Sequence, residues 1–435
     1  MRRLAAVLVH VALAATLGAA DFTAVDTEVE RSMKSGLVPG AAIVIVKDGE
    51  VVHSRAFGVA SVETSAPVTP KTLFRLGSTT KMFVALATLR LVDEGKLPLT
   101  QPVGDVVPGL APALKAITIE QLLSHTSGLA DDAPMNGPLD ESALHERVTS
   151  WREDALFAPP GDVFSYANTG YVLLGDAIAQ VTHQPFSAAM QSLVLDPMGM
   201  RDSTFKPLVA FTHPVALGHD RSGVIRPVTE HAGNYPPGSL FTSVEDLGRF
   251  FAALTPQQLE RLAAARVPIP AQDRTYGYGI VADDRRGVPI LLHTGGRSGY
   301  GSTFMFLPSQ HVAVAVLSNR TSATLSSAAF LALEQYAKLG EIPAMEGEVA
   351  LPADQLAGLL GTYANGKGLP SIELAEEGGK LVVRFAGKSL AVNYAGKDRF
   401  HVEGGAQLET FVIVRDKSGT PRYLCAETWA FRKRS

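Results

Sequence analysis

Residues 74–95 read FRLGSTTKMFVALATLRLVDEG and combine a helical pattern with a chemically reactive pair. Alanine, leucine and valine dominate residues 78–94 at helical spacing, and Gly95 follows at the place where helices commonly end. Ser78 and Lys81 lie three residues apart, so a helix places both on one face. The serine hydroxyl then lies beside an amine that can take its proton, at a helix N-terminus that favours a developing anion. The alternative, a capping serine and a solvated lysine, stays open on this pattern alone.

Strand patterns occur on both sides of this helix along the chain. The strand candidates are residues 41–46, 51–56, 304–307 and 312–317. Asp48-Gly49 joins the first two, and this pair suits the positive φ angles of a tight hairpin turn. Helical stretches fill the middle of the chain, and residues 325–339 read as a further helix. This order predicts an α/β fold, with an antiparallel sheet flanked by helices and an all-helical subdomain.

The composition changes over residues 343–352, where prolines and glutamates predict a linker. Short strand candidates separated by glycine-containing turns follow it. They are residues 372–374, 380–385, 390–394, 411–415 and 423–429. This spacing predicts a small antiparallel barrel or sandwich, and we assign residues 353–435 to a C-terminal, lipocalin-like β-barrel domain.

Two more short motifs place polar side chains in loops. Residues 166–168 read Tyr-Ala-Asn after a loop rich in proline and glycine, and residues 293–296 read His-Thr-Gly-Gly after an apolar strand. Paired glycines let a backbone approach a ligand closely. Each motif also has an ordinary interpretation: a turn-supporting asparagine beside a tyrosine at the core edge, and a strand-end turn.

Taken together and in this order, the three motifs resemble the serine β-lactamase and penicillin-binding-protein superfamily, closest to its class C-like and esterase branch. That superfamily orders S-x-x-K, Y-x-N and then K-T-G or H-x-G. The resemblance covers residues 25–340, and the tail resembles the small β-barrel extension that many members carry. Further matching stretches are residues 74–77 (FRLG), 122–129 (LLSHTSGL), 168–171 (NTGY), 173–175 (LLG), 196–200 (DPMGM) and 243–247 (SVEDL).

The resemblance implies that residues 21–342 form a serine hydrolase domain that works through an acyl-enzyme. Ser78 would be the nucleophile, and Lys81 and Tyr166 would take its proton and later activate the acceptor. Asn168 would orient Lys81 and the substrate amide or ester. Where the proton of the lysine–tyrosine pair rests is left open, because interacting groups titrate together.

The third motif would bind the substrate. The Gly296 N–H would complete an oxyanion hole with the nucleophile's own N–H, and His293, Thr294 and Gly295 would line the site. Superfamily members usually carry lysine where this chain has His293, and histidine with a pKa of about 6.5 is mostly neutral at pH 7. We therefore predict weaker carboxylate recognition, with simple esters or D-amino-acid amides preferred over β-lactams. Arg297 lies nearby in sequence and could restore a positive charge, which keeps β-lactam turnover open.

Composition excludes several other classes of protein. The 435 residues are 46% hydrophobic and 19% charged, as in globular proteins. A net charge of −4 lacks the basic excess of nucleic-acid-binding proteins. The single cysteine, Cys425, excludes an intrachain disulfide and a cysteine-rich zinc site. No metal or cofactor is predicted, the expected ligand is a small ester, amide or β-lactam, and the oligomeric state is left open.

The first twenty residues have the layout of a secretory signal. Arg2 and Arg3 precede an apolar run over residues 4–17, and small residues end at Ala20. This layout predicts export, to a periplasmic or extracellular location, with cleavage near Ala20 and no stable membrane span in the mature chain. An uncut membrane anchor is the alternative.

The sequence leaves three functional interpretations. The first is an exported serine hydrolase with turnover, and the second is a penicillin-binding protein or sensor that acylates and then stalls. The third, an inactive scaffold whose barrel binds a partner, is disfavoured by the intact S-x-x-K and Y-x-N motifs. Among the other polar residues, we interpret His125 as structural and Asp131-Asp132 as a solvated loop pair.

Overall fold

The computed structural model describes residues 21–132, 137–220, 225–226, 231–341, 349–366, 368–405 and 408–434. The predicted signal segment, residues 1–20, lies outside the described residues, and so does most of the predicted linker. Among the residues that are described, no helix has the length and apolar character needed to cross a membrane.

The helices of the described chain differ widely in length. They are α1 (Thr23–Gly36), α2 (Thr80–Asp93), α3 (Ile119–Leu123), α4 (Ser142–Ser150), α5 (Asn168–Thr182), α6 (Phe186–Met190), α7 (Pro207–Ala210), α8 (Tyr235–Gly238), α9 (Val244–Ala253), α10 (Pro256–Leu262), α11 (Ser326–Glu334) and α12 (Ala353–Leu359). Helices α2 to α10 lie between the first and last strands of the main sheet in sequence, which agrees with the predicted helical subdomain.

The strands form a large sheet, two short strand pairs and a barrel. The strands before the barrel are β1 (Gly40–Lys47), β2 (Glu50–Gly58), β3 (Phe74–Arg75), β4 (Gly218–His219), β5 (Ile225–Arg226), β6 (Phe241–Thr242), β7 (Val267–Ile269), β8 (Arg274–Tyr276), β9 (Val281–Asp284), β10 (Pro289–Arg297), β11 (Tyr300–Leu307) and β12 (Val312–Ser318). The main sheet has the order β2-β1-β12-β11-β10-β9-β8-β7, and its neighbouring strands are antiparallel.

The predicted hairpin and the meeting of terminal strands are both confirmed. Asp48 and Gly49 join β1 to β2 with φ angles of 51° and 80°. On its other side β1 pairs with β12, with Ala41 opposite Ser318. Alternate residues of β1 enter different cores: Val44 packs with the helical subdomain, and Ile43 packs with α1 and α11. A strand buried on both faces explains the continuous apolar run of the sequence.

Two predicted helices are shorter than the sequence indicated. The helix predicted over residues 78–94 begins with a 3₁₀ turn, Gly77–Thr79. Gly77 has a φ of +64°, outside the right-handed helical region, so the α-helix does not extend to the N-terminal side of this turn. The helix predicted over residues 325–339 ends at Glu334. Beyond it, the Gly340 N–H donates to Arg286 O, which draws the chain away from the helix axis.

The tail forms a closed antiparallel barrel, which decides between the predicted barrel and sandwich. Its strands are β13 (Gly361–Ala364), β14 (Ile372–Glu377), β15 (Lys380–Phe385), β16 (Lys388–Gly396), β17 (Arg399–Val402), β18 (Thr410–Arg415), β19 (Pro421–Ala426) and β20 (Trp429–Lys433). Strands β13 and β17 were not predicted. The prediction of one strand over residues 423–429 is wrong, because Glu427, with a φ of 52°, turns the chain between β19 and β20.

Candidate active site

Ser78 lies at the turn between the sheet and the helical subdomain. It occupies the 3₁₀ turn that leads directly into α2. Ser302 on β11 holds this turn, because its hydroxyl donates to Leu76 O at 2.6 Å and pairs with Thr79 Oγ1 at 2.8 Å. The backbone of the serine is thus fixed to the central strands while its side chain stays partly exposed.

Lys81 is fully buried one helical turn beyond the serine. Its Nζ donates to Asn168 Oδ1 at 2.7 Å and to Pro237 O at 2.9 Å, and it lies 3.4 Å from Ser78 Oγ. The structure therefore brings together three residues that the sequence placed in one site. The carbonyl of Pro237, on α8, was not among the predicted site residues.

Burial changes the chemistry of this lysine. It lowers the pKa of Lys81 to about 7, with the positive charge of Arg297 acting in the same direction and the charge of Asp131 opposing both. An ammonium loses its hydration when it is buried, so the neutral amine becomes accessible near neutral pH. A neutral amine beside a serine hydroxyl is a competent proton acceptor.

The Tyr166 ring lies beside the amine of Lys81, but its hydroxyl is in different surroundings from that amine. Lys81 Nζ is 4.8 Å from the centre of its ring. Its hydroxyl oxygen is buried, and the described residues form no hydrogen bond to it. Burial raises the pKa of Tyr166 above its ordinary value. Of the two predicted bases, Lys81 is the one whose proton-accepting form, the neutral amine, is accessible near pH 7.

The two predicted oxyanion donors come from segments in direct backbone contact. A Cβ added to Gly295 would lie 2.1 Å from Leu76 O and 3.0 Å from Ser78 N, and one added to Gly77 would lie 3.0 Å from Gly296 N. Only glycine permits this approach between the serine turn and the end of β10. The backbone of the serine turn thus lies directly against the backbone of Gly295 and Gly296.

The residues around Ser78 enclose a cleft of about 290 Å³. Ser78, Asn168, Gly296 and Arg297 line it, together with Gly368 from the barrel. A larger cavity of about 1180 Å³ lies between the sheet and the α9–α10 segment, but it contains none of the predicted site residues. The smaller cleft is the better candidate because Ser78 and Asn168 line it, and Asn168 accepts a hydrogen bond from the lysine of shifted pKa.

His293 does not line the cleft, because it lies in a polar network behind Tyr166. Its Nδ1 lies 2.7 Å from Thr294 O, and its Nε2 lies 3.0 Å from Tyr276 Oη. A carbonyl only accepts, so Nδ1 carries the proton and Nε2 accepts from the tyrosine. Burial lowers the pKa of His293 to about 4, and the charge of Lys81 adds to this effect. His293 is therefore neutral, and both ring nitrogens have partners inside the protein.

The network continues to His125, for which the sequence predicted a structural role. The Ala167 N–H donates to His125 Nδ1 at 3.1 Å, so the ring proton is on Nε2, which lies 3.2 Å from Tyr276 Oη. The centres of the His125 and Tyr166 rings lie 4.2 Å apart, so the two rings pack together. Burial holds the pKa of His125 well below its ordinary value. Two neutral histidines thus support the tyrosine from behind.

Arg297 provides the positive charge on the cleft wall that His293 does not. Its side chain is 9% exposed and lies at the end of β10. Burial lowers the pKa of Arg297 to about 10, so the guanidinium remains charged at neutral pH. The exposed Thr294 and the buried Gly295 precede it on the same strand.

Asp131 corrects the interpretation of Asp131-Asp132 as a solvated pair. Asp131 is partly buried, and its carboxylate accepts the backbone N–H of Asn168 at 2.8 Å and the Asn168 side-chain NH₂ at 3.2 Å. Asp132 is exposed, as expected. No local sequence signal identifies Asp131, because its partner comes 37 residues later.

The barrel contacts the loop that carries Tyr166. The Tyr166 N–H donates to Thr428 O at 2.8 Å. Ser165 Oγ accepts from Asn365 Nδ2 and from the Ala430 N–H, each at 3.1 Å. A small apolar cluster completes this interface, formed by Ala130, Phe157, Ala158, Val163, Tyr423, Cys425 and Ala430.

The described residues contain no group of three or more histidine, cysteine, aspartate or glutamate side chains arranged to hold a metal.

Residues 25–337 match the beta-lactamase family. The chain belongs to this family. Penicillin-binding protein 4 of Amycolatopsis lactamdurans is 30% identical over 368 residues, which cover 77% of this chain and 95% of that protein. Protein flp of Staphylococcus aureus is 28% identical over 317 residues, covering 68% of this chain and 63% of flp.

Solved structures of beta-lactamase-like proteins include the barrel as well. SurE superposes with a TM-score of 0.78 at 25% identity, covering 95% of this chain and 99% of SurE, and a second SurE structure contains D-Leu. An octameric penicillin-binding protein homologue from Pyrococcus abyssi superposes with a TM-score of 0.66 at 27% identity, covering 95% of this chain and all of that chain. The family of this chain consists of serine hydrolases and penicillin-binding proteins that are acylated on serine.

Proposed function

We propose that this chain is an exported serine hydrolase in which Ser78 forms an acyl-enzyme. The observation that carries the proposal is the position of Lys81 Nζ, 3.4 Å from Ser78 Oγ, with its pKa lowered to about 7 by burial. This arrangement supplies a nucleophile and its base in one cleft.

The proposed reaction proceeds in two halves. Lys81 takes the Ser78 proton as Oγ attacks the substrate carbonyl, and the N–H groups of Ser78 and Gly296 stabilise the oxyanion. The scissile C–N or C–O bond then breaks, and the protonated Lys81 gives the proton to the leaving group. Water attacks the acyl-enzyme in the second half and restores the serine. Loss of one oxyanion donor typically costs about 10² to 10³ in rate.

Arg297 supports a substrate with a carboxylate close to the scissile bond. It supplies the fixed cation of the cleft, whereas His293 is neutral and bonded within the protein. An arginine recognises a carboxylate through paired hydrogen bonds. The names of the relatives and the D-Leu in a SurE structure agree with a D-aminoacyl peptide, amide or ester. We therefore propose D-aminoacyl peptides with a free C-terminal carboxylate ahead of neutral amides and simple esters.

The test is a turnover assay with purified protein. D-aminoacyl peptides, D-aminoacyl amides, p-nitrophenyl esters and a cephalosporin are compared, and mass spectrometry locates the acyl group. We expect many turnovers on a D-aminoacyl substrate, acylation at Ser78 and no activity in Ser78→Ala, whereas Ser298→Ala, at an exposed serine, retains activity. Acylation at another residue, or full activity in Ser78→Ala, would overturn the proposal.

N-terminal sequencing of the protein released by an expressing cell tests cleavage near Ala20.

A penicillin-binding protein or sensor is the second candidate, and one observation favours it. Burial raises the pKa of Tyr166, so its phenol is a poor base for activating the deacylating water. If Lys81 cannot replace it in the acyl-enzyme, the reaction stops after acylation. A fluorescent penicillin that labels Ser78 once per molecule, without release over hours, would identify this behaviour.

A further inference from the structure

The orientation of the Asn168 side chain is fixed from two sides. Its Oδ1 accepts from Lys81 Nζ at 2.7 Å, and its Nδ2 donates to Asp131 Oδ2 at 3.2 Å. A carboxylate only accepts and an ammonium only donates, so this is the one amide orientation that satisfies both neighbours. If the amide were reversed, its NH₂ group would face Lys81 and its oxygen would face the carboxylate.

We propose that Asp131 is a positioning residue for hydrolysis, which acts through Asn168 to hold Lys81 beside Ser78. This inference rests on the proposed function, because the importance of Lys81 rests on its role as the base. Asp131 does not touch the reacting serine in this arrangement. It fixes the amide that accepts from Lys81, and so it limits the directions in which the amine can point.

The charge of Asp131 has a second effect on Lys81. The groups around this lysine are the rings of Tyr166 and Tyr171, the neutral histidines His125 and His293, and two charged side chains. Of the charged side chains, Asp131 favours the ammonium and Arg297 opposes it. Burial is the larger effect and lowers the pKa of Lys81, and the carboxylate of Asp131 partly offsets it by favouring the ammonium.

A purely structural role for Asp131 must be distinguished from this one. Its Oδ1 accepts the Asn168 N–H at 2.8 Å, at the first residue of α5, and a carboxylate there stabilises a helix. A helix cap alone affects stability and leaves the titration of Lys81 unchanged. The pH dependence of activity therefore separates the two roles.

The barrel holds Asp131 in place. A Cβ added to Gly368 would lie 2.0 Å from Asp131 O, and one added to Gly366 would lie 2.6 Å from the Ala130 Cβ. The turn after β13 thus packs directly on the backbone of Asp131. A substitution at Gly368 moves Asp131 without changing any charge in the site.

The first variant is Asp131→Asn in the full chain, assayed on the substrate of highest turnover. We expect kcat to fall by about 10- to 100-fold, because the amide of Asn168 loses its fixed orientation. Removing a negative charge lowers the pKa of Lys81, so the acid limb of kcat/KM moves to lower pH by about one unit. KM for a small ester should change little.

Asp140→Asn is the matched control. Asp140 Oδ1 accepts the Ser142 N–H at 2.8 Å at the start of α4, away from the catalytic groups. We expect this variant to lose thermal stability while kcat and the pH profile remain those of the wild type. The contrast between the two capping aspartates isolates the effect of Asp131 on the site.

A folded Asp131→Asn protein with unchanged kcat and an unchanged acid limb would overturn the proposal. If this variant does not fold, Gly368→Ala replaces it. We then expect a lower kcat with the acid limb of the pH profile at its wild-type position, and an unchanged kcat would contradict the inference.

NMR titration of ¹³C-labelled Lys81 in the Ser78→Ala protein, with and without Asp131→Asn, needs no turnover. A lower midpoint in the double variant supports the proposal even if the hydrolase assignment fails, and an equal midpoint refutes it.

Discussion

The Tyr276 hydroxyl donates to His293 Nε2 at 3.0 Å and in turn lies 3.2 Å from the protonated Nε2 of His125. One phenol thus connects the strand that carries Gly296 to the loop that lies behind Tyr166. The donor and acceptor of each hydrogen bond in this network are fixed. A backbone N–H, which only donates, lies at one end of the network, and a backbone carbonyl, which only accepts, lies at the other. The network therefore occupies both ring nitrogens of His293 within the protein.

Tyr276→Phe should destabilise the protein and reduce activity together. The substitution leaves the Nε2 atoms of His125 and His293 buried without the hydroxyl, which costs about 1–3 kcal/mol in the free energy of unfolding. Urea denaturation measures this loss, and kcat should fall because His125 supports Tyr166. Tyr278→Phe is the control, since it breaks a hydrogen bond to Glu120 outside the network. Equal kcat values for Tyr276→Phe and the wild type would contradict the supporting role.

The pH profile of kcat/KM should report Lys81 and not a histidine. Activity requires the neutral amine, so kcat/KM should rise with pH through a value of about 7, the lowered pKa of Lys81. The pKa of His293, lowered to about 4, predicts no inflection near the ordinary histidine pKa. Steady-state rates from pH 4 to pH 9 test both expectations. An inflection near pH 6 that disappears in His293→Asn would show that the histidine titrates in the site.

Arg297→Gln should distinguish substrates with and without a carboxylate. Loss of a charge-assisted hydrogen-bond pair of about 1.5–3 kcal/mol corresponds to a rise in KM of about 10- to 100-fold. We expect this rise for a D-aminoacyl peptide and little change for a neutral ester, with Arg297→Lys intermediate for the peptide. Parallel losses on both substrates would indicate that Arg297 acts on the structure of the cleft and not on a carboxylate.

The barrel should influence catalysis through Asn365. This side chain is fully buried, and its Nδ2 donates to Ser165 Oγ at 3.1 Å and to Ala430 O at 2.7 Å. Asn365→Ala should lower kcat by about tenfold, because the loop that carries Tyr166 loses one of its hydrogen bonds to the barrel. Gly358→Ala, at an exposed barrel-domain position where a Cβ meets nothing within 4 Å, should leave kcat unchanged. A normal kcat for Asn365→Ala well below its melting temperature would exclude this influence.

Local patterns predicted the parts of the site that are local in sequence. The spacing of Ser78 and Lys81 is a helical property, and the resemblance to the superfamily, carried by the order of the three motifs, supplied Tyr166, Asn168 and Gly296. The fold class followed from the order of strands and helices, and it is confirmed. The role of each catalytic residue stays a prediction.

The errors have physical causes that a single sequence does not reveal. Asp131-Asp132 is polar and looks solvated, but Asp131 meets the start of a helix that is formed 37 residues later. Residues 423–429 are apolar enough for one strand, yet the positive φ of Glu427 makes them a hairpin. Pro237 contributes only its carbonyl oxygen, which every residue possesses. Contacts made by backbone atoms or between distant segments leave no trace in local composition.

Ser165 and Ala430 are 265 residues apart in the chain, yet one hydrogen bond joins them. The segment that carries the tyrosine therefore cannot acquire its final set of neighbours until the barrel has closed. A nascent polypeptide that has already built its helices and main sheet would still lack this attachment. We expect catalytic competence to appear late in folding, after the last β-strands have paired, so that an incompletely folded chain is inactive.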